Sequence, residues 1–583
     1  MARSIGPSDD LEASRPSLQL RVQRSSAQQS ARRAGQGDGG QIEYTAQDGR
    51  AGDDLDEKPG STPFNNLSDY DDKTIVSWED GDPQNPYNWS STKKMALLTM
   101  NMMLIINSTM SSSLPSNAIP YISEQYGITS PQQQILPISI FMIGYVFGPM
   151  FWGPLSEHFG RRIITVGTFI IFTLWTMACA LAPNYAAFVV FRLFVGVFAS
   201  APNAVVPGVL ADMYGDHNTR GRAMAFFMAT TVFGPLFAPI VSGYCSTTIG
   251  WRWTFWIALI YAGATLVPLL LLVPETFGPV LLARRAKALR EADPDRNRDL
   301  VAPRDLEPPV DFHRLATVVL ARPLRMMTSE LIVASVCAYL ALVYAIFYMS
   351  FQAFPIIFQS LYGLSPGETG LAFLPIGGGS LLTLPIFFAW DPLLHRAKTH
   401  PRFAALARQE EFRRLPLACL GGPLFVVSLF WLGFSARADV HFVVPMLAGL
   451  PFGAGFMLIF MALLNYLTDA YEVFAASANA AASMARSLLA VVLPLATVPM
   501  FERLGIAGAC SLLGGLSALM CVIPFLFIWK GDTIRANSRF CTALREQKEA
   551  MDRRVEGQRR REEAAASAAM AATDESGARE PEK

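Results

Sequence analysis

A charged ten-residue segment separates two long apolar stretches of the chain. It reads Gly-Pro-Leu-Ser-Glu-His-Phe-Gly-Arg-Arg and covers residues 153–162. Gly153 and Gly160 carry no Cβ, so two helix ends can approach there and reverse direction. The segment also supplies a carboxylate and two guanidinium groups, on Glu157, Arg161 and Arg162. We predict a compact turn at a membrane face, with charged groups that could form ion pairs holding neighbouring helix ends together.

Two further charges, Asp212 and Arg220, fall in the next connection that would lie on the same side. We predict that they form a gating network with Glu157 and Arg161. An isolated ion pair at a wet surface contributes only about 0–1 kcal/mol. A network that breaks when two parts of a protein separate can still bias a two-state equilibrium. The alternative is that these charges are solvated and only orient the protein.

Arg192 lies within an apolar stretch, where a charged side chain is costly and often functional. At helical rise it lies about 9 Å below the nearer membrane surface. Small or polar residues continue its helical face at Gly196, Ser200, Asn203 and Pro207. We predict a buried functional role, and the alternative is an arginine that snorkels to the interface.

Other polar residues within apolar stretches are candidates for a substrate cavity. Tyr344, Tyr348 and Gln352 recur every four residues, which places them on one helical face. Asn479 precedes Arg486 by two turns on another helix. The predicted cavity set also includes Asn107, Ser111 and Asn203.

Acidic residues are almost absent from the interior of the apolar stretches. Glu330, Asp469 and Asp212 all lie near the ends of such stretches. A strongly cationic substrate would require a buried carboxylate. The sequence therefore favours a neutral, weakly charged or aromatic substrate.

Composition and chain length show which elements position these residues. Of 583 residues, 51% are hydrophobic and 16% are charged. Apolar blocks of about 20 residues match the thickness of a bilayer as helices. We predict an all-α membrane protein with twelve spans, numbered in chain order as 94–115, 132–152, 163–182, 186–211, 222–245, 252–273, 329–358, 367–389, 415–434, 442–467, 473–498 and 506–529.

A weak internal repeat divides these spans into two groups of six. Tyr126-Gly127 precedes span 2, and Tyr362-Gly363 precedes span 8 at the equivalent position. Such repeats indicate two pseudo-symmetric bundles with a solute site between them. The predicted domains are a disordered tail, a six-helix bundle, a central loop, a second six-helix bundle and a second tail, at 1–92, 93–274, 275–328, 329–530 and 531–583.

Basic residues predict the orientation of the spans. The central loop 275–322 carries nine Lys and Arg residues, and the loop 390–414 carries six. Connections on the opposite side hold only Arg252, Arg437 and Arg503. Since basic loops stay in the cytoplasm, both termini are predicted to be cytoplasmic.

The sequence predicts no metal site, cofactor, enzymatic activity or nucleic-acid partner. The seven cysteines are isolated from one another and show no metal-ligand spacing. No nucleophile–base set or cofactor motif is present in the loops. The formal net charge of +0 gives no indication of nucleic-acid binding.

Span 5 contains small residues and prolines at helical spacing. Gly234, Ala238 and Ser242 form one smooth face for close helix contact. Pro235 and Pro239 remove backbone hydrogen bonds and loosen the helix, and Gly243 follows the motif. We predict close packing together with a functional role for this face.

These motifs resemble those of the major facilitator superfamily. The segment 153–162 resembles its loop between the second and third helices, and Arg192 with Gly196 resembles its fourth-helix motif. Span 5 is similar to the antiporter motif of drug:proton antiporters. The segments 85–90, 274–276 and 465–471 resemble equivalent segments of fungal twelve-span drug:proton antiporters.

The resemblance implies proton-driven export by alternating access, with Arg192 in proton coupling. The expected cargo is a small hydrophobic or aromatic compound, such as a xenobiotic or a secondary metabolite. A polyamine exporter and a solute sensor that does not transport are the alternatives. The expected site of action is the plasma membrane, or else the vacuolar membrane, and the expected state is a monomer.

Overall fold

The computed structural model describes residues 74–79, 81–294, 300–302, 305, 321–399, 411–471, 475–536, 538 and 542. Most of both predicted tails, residues 1–73 and 543–583, lies outside the described residues. Helices make up nearly all of the described chain. The prediction of an all-α membrane protein is confirmed.

The first six predicted spans correspond to six long helices. Serine, asparagine and aspartate side chains at their N-termini accept backbone N–H groups, as helix caps do, in spans 1, 4 and 5. The helices of spans 1 to 6 are Ser91–Ser113, Pro131–Phe159, Arg161–Ala180, Tyr185–Met213, His217–Thr248 and Arg252–Leu272. A short helix, Ile119–Tyr126, lies between spans 1 and 2, and Gly278–Ala292 follows span 6.

The second six spans are more often broken. Span 7 is Leu331–Phe354 with a π-helical extension, Pro355–Leu361, and the helix Ala321–Ser329 precedes it. Spans 8 and 10 each begin with a short helical turn, Pro366–Leu371 and Val443–Leu447. The remaining helices of spans 8 to 12 are Leu374–Thr399, Glu411–Ser435, Gly449–Tyr471, Ala475–Leu495 and Thr497–Ala536.

Ten of the described helices are long and apolar enough to cross a membrane. Span 2 is the eleventh if its two parts, Pro131–Gly148 and Met150–Phe159, are joined across their 42° bend. Span 1 does not reach the same hydropathy because asparagine, serine and threonine fill its second half, yet these side chains are buried in the protein. Helices thus occupy all twelve predicted positions in the described chain, with span 1 shielded by its neighbours.

The described chain divides into two compact units. The smaller unit joins the end of the N-terminal segment to the central loop, through residues up to Asn88 and Pro279–Pro308. Thr74–Ile75 pairs in parallel with Leu300–Val301, and Arg285 contacts Asp82. Within the tail predicted to be disordered over 1–92, hydrogen bonds and apolar contacts thus hold residues 74–78 against the central loop.

The larger unit contains all twelve spans, and its two halves repeat the same close helix packing. In the first half, a Cβ on Gly196 of span 4 would overlap the carbonyl of Phe141 in span 2. In the second half, a Cβ on Gly453 of span 10 would overlap the carbonyl of Ile376 in span 8. Glycine therefore allows backbone contact between spans 2 and 4 and between the equivalent spans 8 and 10.

Candidate transport site

A cavity of about 1810 Å³ lies between the two halves of the larger unit. Its inner end is lined by aromatic residues of spans 7 and 10, including Tyr344, Tyr348 and Phe460. It extends to the face where span 2 ends and span 3 begins, and Glu157 lines its mouth there. The turn that the sequence predicts over 153–162 is shorter in the structure, because the helix of span 2 continues to Phe159 and the chain reverses at Gly160. The cavity is therefore accessible from one face of the larger unit.

The far end of the cavity is closed by contacts between the halves. The amide of Asn117, just after span 1, donates to the carbonyls of Pro239 at 2.9 Å and Pro366 at 3.0 Å. A Cβ on Gly243 of span 5 would overlap the carbonyl of Pro366 at the start of span 8. A Cβ on Gly370 would lie 2.7 Å from the span 5 backbone. These contacts leave no room for a side chain on either glycine.

The prolines of span 5 determine which groups face span 1. Pro239 has no N–H, so the carbonyl of Pro235 loses its partner within the helix. The hydroxyl of Ser113 in span 1 donates to that carbonyl at 2.8 Å. Gly234 allows the approach, since a Cβ there would overlap the Thr109 hydroxyl.

All six predicted motif residues thus lie in span 5 where it packs on spans 1 and 8. Ala238 and Ser242 are completely buried. The small residues allow close packing, and the prolines provide carbonyls for side chains of span 1. The role of this motif in antiport remains a prediction.

Arg192 is buried among spans 1, 2 and 4. Its side chain is 1% exposed and lies 4.6 Å from the ring of Phe141. The guanidinium donates to three backbone carbonyls, of Pro137 at 2.9 Å, Ser111 at 2.8 Å and Ser112 at 3.2 Å. No carboxylate of the described residues forms an ion pair with it. Arg192 therefore joins span 4 to spans 1 and 2.

A chain of hydroxyl groups leads from this arginine to the second half. Ser112 accepts from Arg192 with its carbonyl and from the hydroxyl of Tyr348 with its Oγ at 2.8 Å. Tyr344 donates to the hydroxyl of Tyr348 at 3.4 Å. The guanidinium of Arg486 lies 5.4 Å from the ring of Tyr344. The two intramembrane arginines are therefore connected through one serine and two tyrosines.

Five of the eight predicted cavity residues line the cavity. They are Asn203, Tyr344, Tyr348, Asn479 and Arg486. The structure places the other three elsewhere in this conformation. Asn107 bonds to Thr265 of span 6 at 2.9 Å, Ser111 uses its carbonyl to bind Arg192, and Gln352 is buried. Their helical faces turn toward neighbouring spans, which hydropathy alone does not reveal.

Arg161 brings together two of the predicted acidic residues at the mouth. The Nε of Arg161 lies 3.2 Å from Oδ2 of Asp212, and its Nη2 lies 3.6 Å from Glu157. Arg162 instead donates to the carbonyl of Leu270. Arg220 lines the cavity. The ion pairs of Arg161 link spans 2, 3 and 4 and lie within the first half.

Glu275, at the end of span 6, is a residue that the predicted network lacked. Its carboxylate accepts the backbone N–H groups of Arg161 at 2.9 Å and Arg162 at 3.2 Å. It also accepts from Thr276 and Phe277 at 3.0 Å each. Gly160 has φ +100°, and a Cβ there would overlap Glu275. The Pro-Glu-Thr segment was the signal in the sequence, but its partner became visible only in three dimensions.

The second half has an equivalent ion pair at the mouth. Arg414, at the start of span 9, lies 3.3 Å from Asp469 at the end of span 10. These positions correspond to Arg161 at the start of span 3 and Asp212 at the end of span 4. The repeat that the sequence predicts therefore extends to charged residues.

A twelve-helix fold of two similar halves around a one-sided cavity defines a solute transporter. The family model of the Major Facilitator Superfamily matches residues 102–494. The chain therefore belongs to the major facilitator superfamily, and the predicted family is confirmed. It is a transporter and not an enzyme.

The similar proteins include several fungal transporters. The Ascochitine biosynthesis cluster MFS transporter of Didymella fabae is 36% identical over 476 residues, which cover 81% of this chain and 90% of that protein. Efflux pump FUB11 of Gibberella moniliformis is 35% identical over 79% of this chain and 76% of its own. The Major facilitator superfamily multidrug transporter mdrA of Aspergillus fumigatus is 34% identical over 82% of this chain and 77% of its own.

Solved structures support the same fold. The proton:xylose symporter XylE bound to 6-bromo-6-deoxy-D-glucose matches with a TM-score of 0.54 and 18% identity. The match covers 76% of this chain and 96% of that chain. At this identity the likeness concerns the fold alone.

Proposed function

We propose that this transporter is a proton-coupled antiporter that exports a small hydrophobic or aromatic compound from the cytoplasm. The observation that carries the proposal is the one-sided cavity, which the span 5 motif closes at its far end. Its mouth is rich in arginine, and basic faces stay in the cytoplasm. The cavity would therefore receive cargo from the cytoplasm, and both termini would be cytoplasmic.

Export requires a change of conformation in which the far end of the cavity opens and the mouth closes. The contacts of Asn117 and Gly243 would break at the far end, and the mouth would close. At the mouth, Arg161 forms its ion pairs in the first half and Arg414 in the second. We propose that these ion pairs stabilise the helix ends of each half, and that the two groups of charges contact each other when the mouth closes in the outward-facing state.

Proton coupling is assigned to Arg192. Its three carbonyl partners belong to spans 1 and 2, and Ser112 connects it to Tyr348 at the cavity wall. Cargo that displaces the Tyr348 hydroxyl would break its hydrogen bond to Ser112. Because the carbonyl of Ser112 also binds Arg192, span 1 would then shift relative to Arg192. This connection provides a physical path between the cavity and the intramembrane charge.

The names of the relatives support an exporter of a drug or of a secondary metabolite. One relative is named for a biosynthesis cluster, another as an efflux pump and a third as a multidrug transporter. A polyamine is less suitable, because the acidic residues among the described lining, Glu157 and Asp469, lie at the mouth. We propose the plasma membrane as its location and a monomer as its functional state.

Transport into sealed inside-out vesicles tests this proposal. Uptake of cargo should follow an imposed pH gradient and stop when a protonophore is added. Arg192→Ala should abolish proton-driven uptake, because three buried carbonyls lose their donors at about 1–3 kcal/mol each. Arg192→Lys retains a charge and should retain part of the uptake.

The matched control for this test is Arg503→Ala, at an exposed arginine outside the cavity. It should transport at the wild-type rate. Membrane content of each variant, measured on blots, separates loss of transport from loss of protein. If the Arg192→Ala protein retains proton-driven uptake, Arg192 has no role in proton coupling. If the wild-type protein takes up cargo without a pH gradient, the transporter is not a proton antiporter.

A further inference from the structure

Arg486 is an intramembrane cation that lines the cavity. It lies nine residues after Ser477 in a 19-residue apolar helix, or about 14 Å along it at helical rise. Its Nη2 contacts the Ser483 hydroxyl at 3.3 Å, and its Nε has no hydrogen-bond partner among the described residues. No described carboxylate pairs with it. A guanidinium has five donors, so most of its donor capacity is available to a ligand.

The surroundings of Arg486 are aromatic. Its guanidinium lies 5.4 Å from the ring of Tyr344 and 5.9 Å from that of Phe460. Phe460 stacks on Phe456 with ring centroids 4.4 Å apart. Phe347 adds a further ring next to Phe456, at 5.0 Å. The second half thus presents a wall of aromatic rings beside one cation.

Polar groups on span 11 continue from Arg486 toward the mouth. Asn479, Ser483 and Arg486 lie on one helical face, and all three line the cavity. The Oδ1 atom of Asn479 has no partner among the described residues. A ligand that enters along this face meets hydroxyl and amide groups first and the guanidinium last.

Positive charge prevails along the whole described lining. Eight arginines and two acidic residues line the cavity. The acidic residues are Glu157 and Asp469, both in ion pairs with arginine at the mouth. Basic residues at the mouth also orient the protein in the membrane. Orientation does not account for Arg486, because it lies in the middle of a span, where an unpaired cation is costly.

We propose that the cargo is an aromatic weak acid that binds as its anion. Its carboxylate would accept two N–H bonds from Arg486, a planar bidentate pairing that guanidinium groups favour. Its ring would stack on the wall formed by Tyr344, Phe456 and Phe460. The proposal names the cargo class of the efflux function proposed above and rests on that function.

Three naphthalene derivatives of similar size test the charge requirement. They are 2-naphthoate, its neutral carboxamide and the cationic 2-naphthylmethylamine. Purified full-length protein in nanodiscs should bind the carboxylate about tenfold or more tightly than the carboxamide, the effect of one or two charge-assisted hydrogen bonds. The amine should bind most weakly. Equal affinities for carboxylate and carboxamide, or a preference for the amine, would overturn the proposal.

Variants of Arg486 test whether the preference for the carboxylate depends on this residue. Arg486→Met should remove the preference for the carboxylate while leaving carboxamide binding within about twofold, since the ring wall remains. Arg486→Lys should keep part of the preference because its charge remains but bidentate pairing is lost. Arg503→Met changes an exposed arginine outside the cavity and should leave the preference unchanged. An Arg486→Met protein that keeps the full preference would contradict the proposal.

Transport of the same three compounds into vesicles separates this proposal from the efflux function. Uptake of the carboxamide alone would support the efflux function and contradict the proposal that the cargo is an acid. Carboxylate binding that depends on Arg486, without uptake of any compound, would support the anion site and contradict efflux. Sodium acetate at the same concentration should compete weakly, which distinguishes an aromatic anion site from a general anion site.

Discussion

Glu275 lies in the connection after span 6 and caps the helix of span 3. Its carboxylate satisfies N–H groups at the start of span 3, which have no carbonyl partner within their own helix. A negative charge at that position also interacts favourably with the helix dipole. This arrangement holds the backbone of Arg161, whose side chain then reaches Asp212 and Ser156. One buried carboxylate therefore organises the charged turn.

Replacement of that carboxylate provides a prediction at the scale of one residue. Glu275→Gln should lower the thermal stability of the purified protein, by about 1–3 kcal/mol of unfolding free energy, because an amide NH₂ would face backbone donors. Glu502→Gln, at an exposed glutamate, should leave the melting temperature unchanged. Equal melting temperatures for both variants, measured by a thermal shift assay, would contradict the capping role.

Residue types located the charged groups but not the backbone groups that hold two of them. Arg192 could be recognised from the sequence as a charged residue within an apolar stretch. The sequence could not show that three carbonyls would hold the guanidinium, since every residue has a carbonyl. Glu275 was missed for a similar reason, as its partners are backbone N–H groups 113 and 114 residues away in sequence.

Span 5 shows how one element can meet two neighbours through different atoms. Toward span 1 it presents the carbonyl of Pro235, which Ser113 satisfies. Toward span 8 it presents Gly243 and the backbone around Ile240, which touch Pro366 and Gly370. The helical hydrogen bond that Pro239 removes is therefore offset by the bond from Ser113 of span 1. The same element closes the far end of the cavity.

A larger side chain at this contact should favour the open state of the far end. Gly243→Leu should separate spans 5 and 8, because even a Cβ overlaps the Pro366 carbonyl. Ser116→Cys, at a buried position beside this contact, then reports on opening through its reaction with a membrane-impermeant maleimide. Labelling should increase several-fold in the Gly243→Leu background.

The matched control for this experiment is Gly263→Leu. A Cβ on Gly263 meets no atom within 4 Å, so the larger side chain should not change labelling. Gly243→Ala should give an intermediate result. Unchanged labelling in a folded Gly243→Leu protein would show that the far end is closed by other contacts.

Contacts between the two halves are distributed unevenly across the molecule. At the far end Asn117 reaches Pro366, and in the middle Tyr348 reaches Ser112 and Ser139 reaches Val491. At the mouth, by contrast, the ion pairs of Arg161 with Glu157 and Asp212, and of Arg414 with Asp469, each join residues of one half. This distribution is typical of a transporter whose two halves pivot about their central contacts, so that the cavity opens alternately to the two faces.

Spin labels at the two ends test the rocking motion. Arg222→Cys with Arg413→Cys places labels on exposed positions of the two halves at the mouth. Glu124→Cys with Asp439→Cys places them on exposed positions of the two halves at the far end. A change of pH or addition of cargo should shift the two distance distributions in opposite directions, because rigid halves pivot about the middle. Parallel shifts at both ends, measured by pulsed electron paramagnetic resonance, would contradict rocking.

The sequence by itself determined the helical class, the approximate positions of the long helices and the family. Hydropathy and periodicity are local properties, and they suffice for these conclusions. The tertiary structure decided which side chains face the cavity. It also decided that Asn107 and Ser111 serve helix contacts and that Glu275 joins the charged turn. These features depend on the rotation and close approach of helices distant in sequence, which local patterns do not specify.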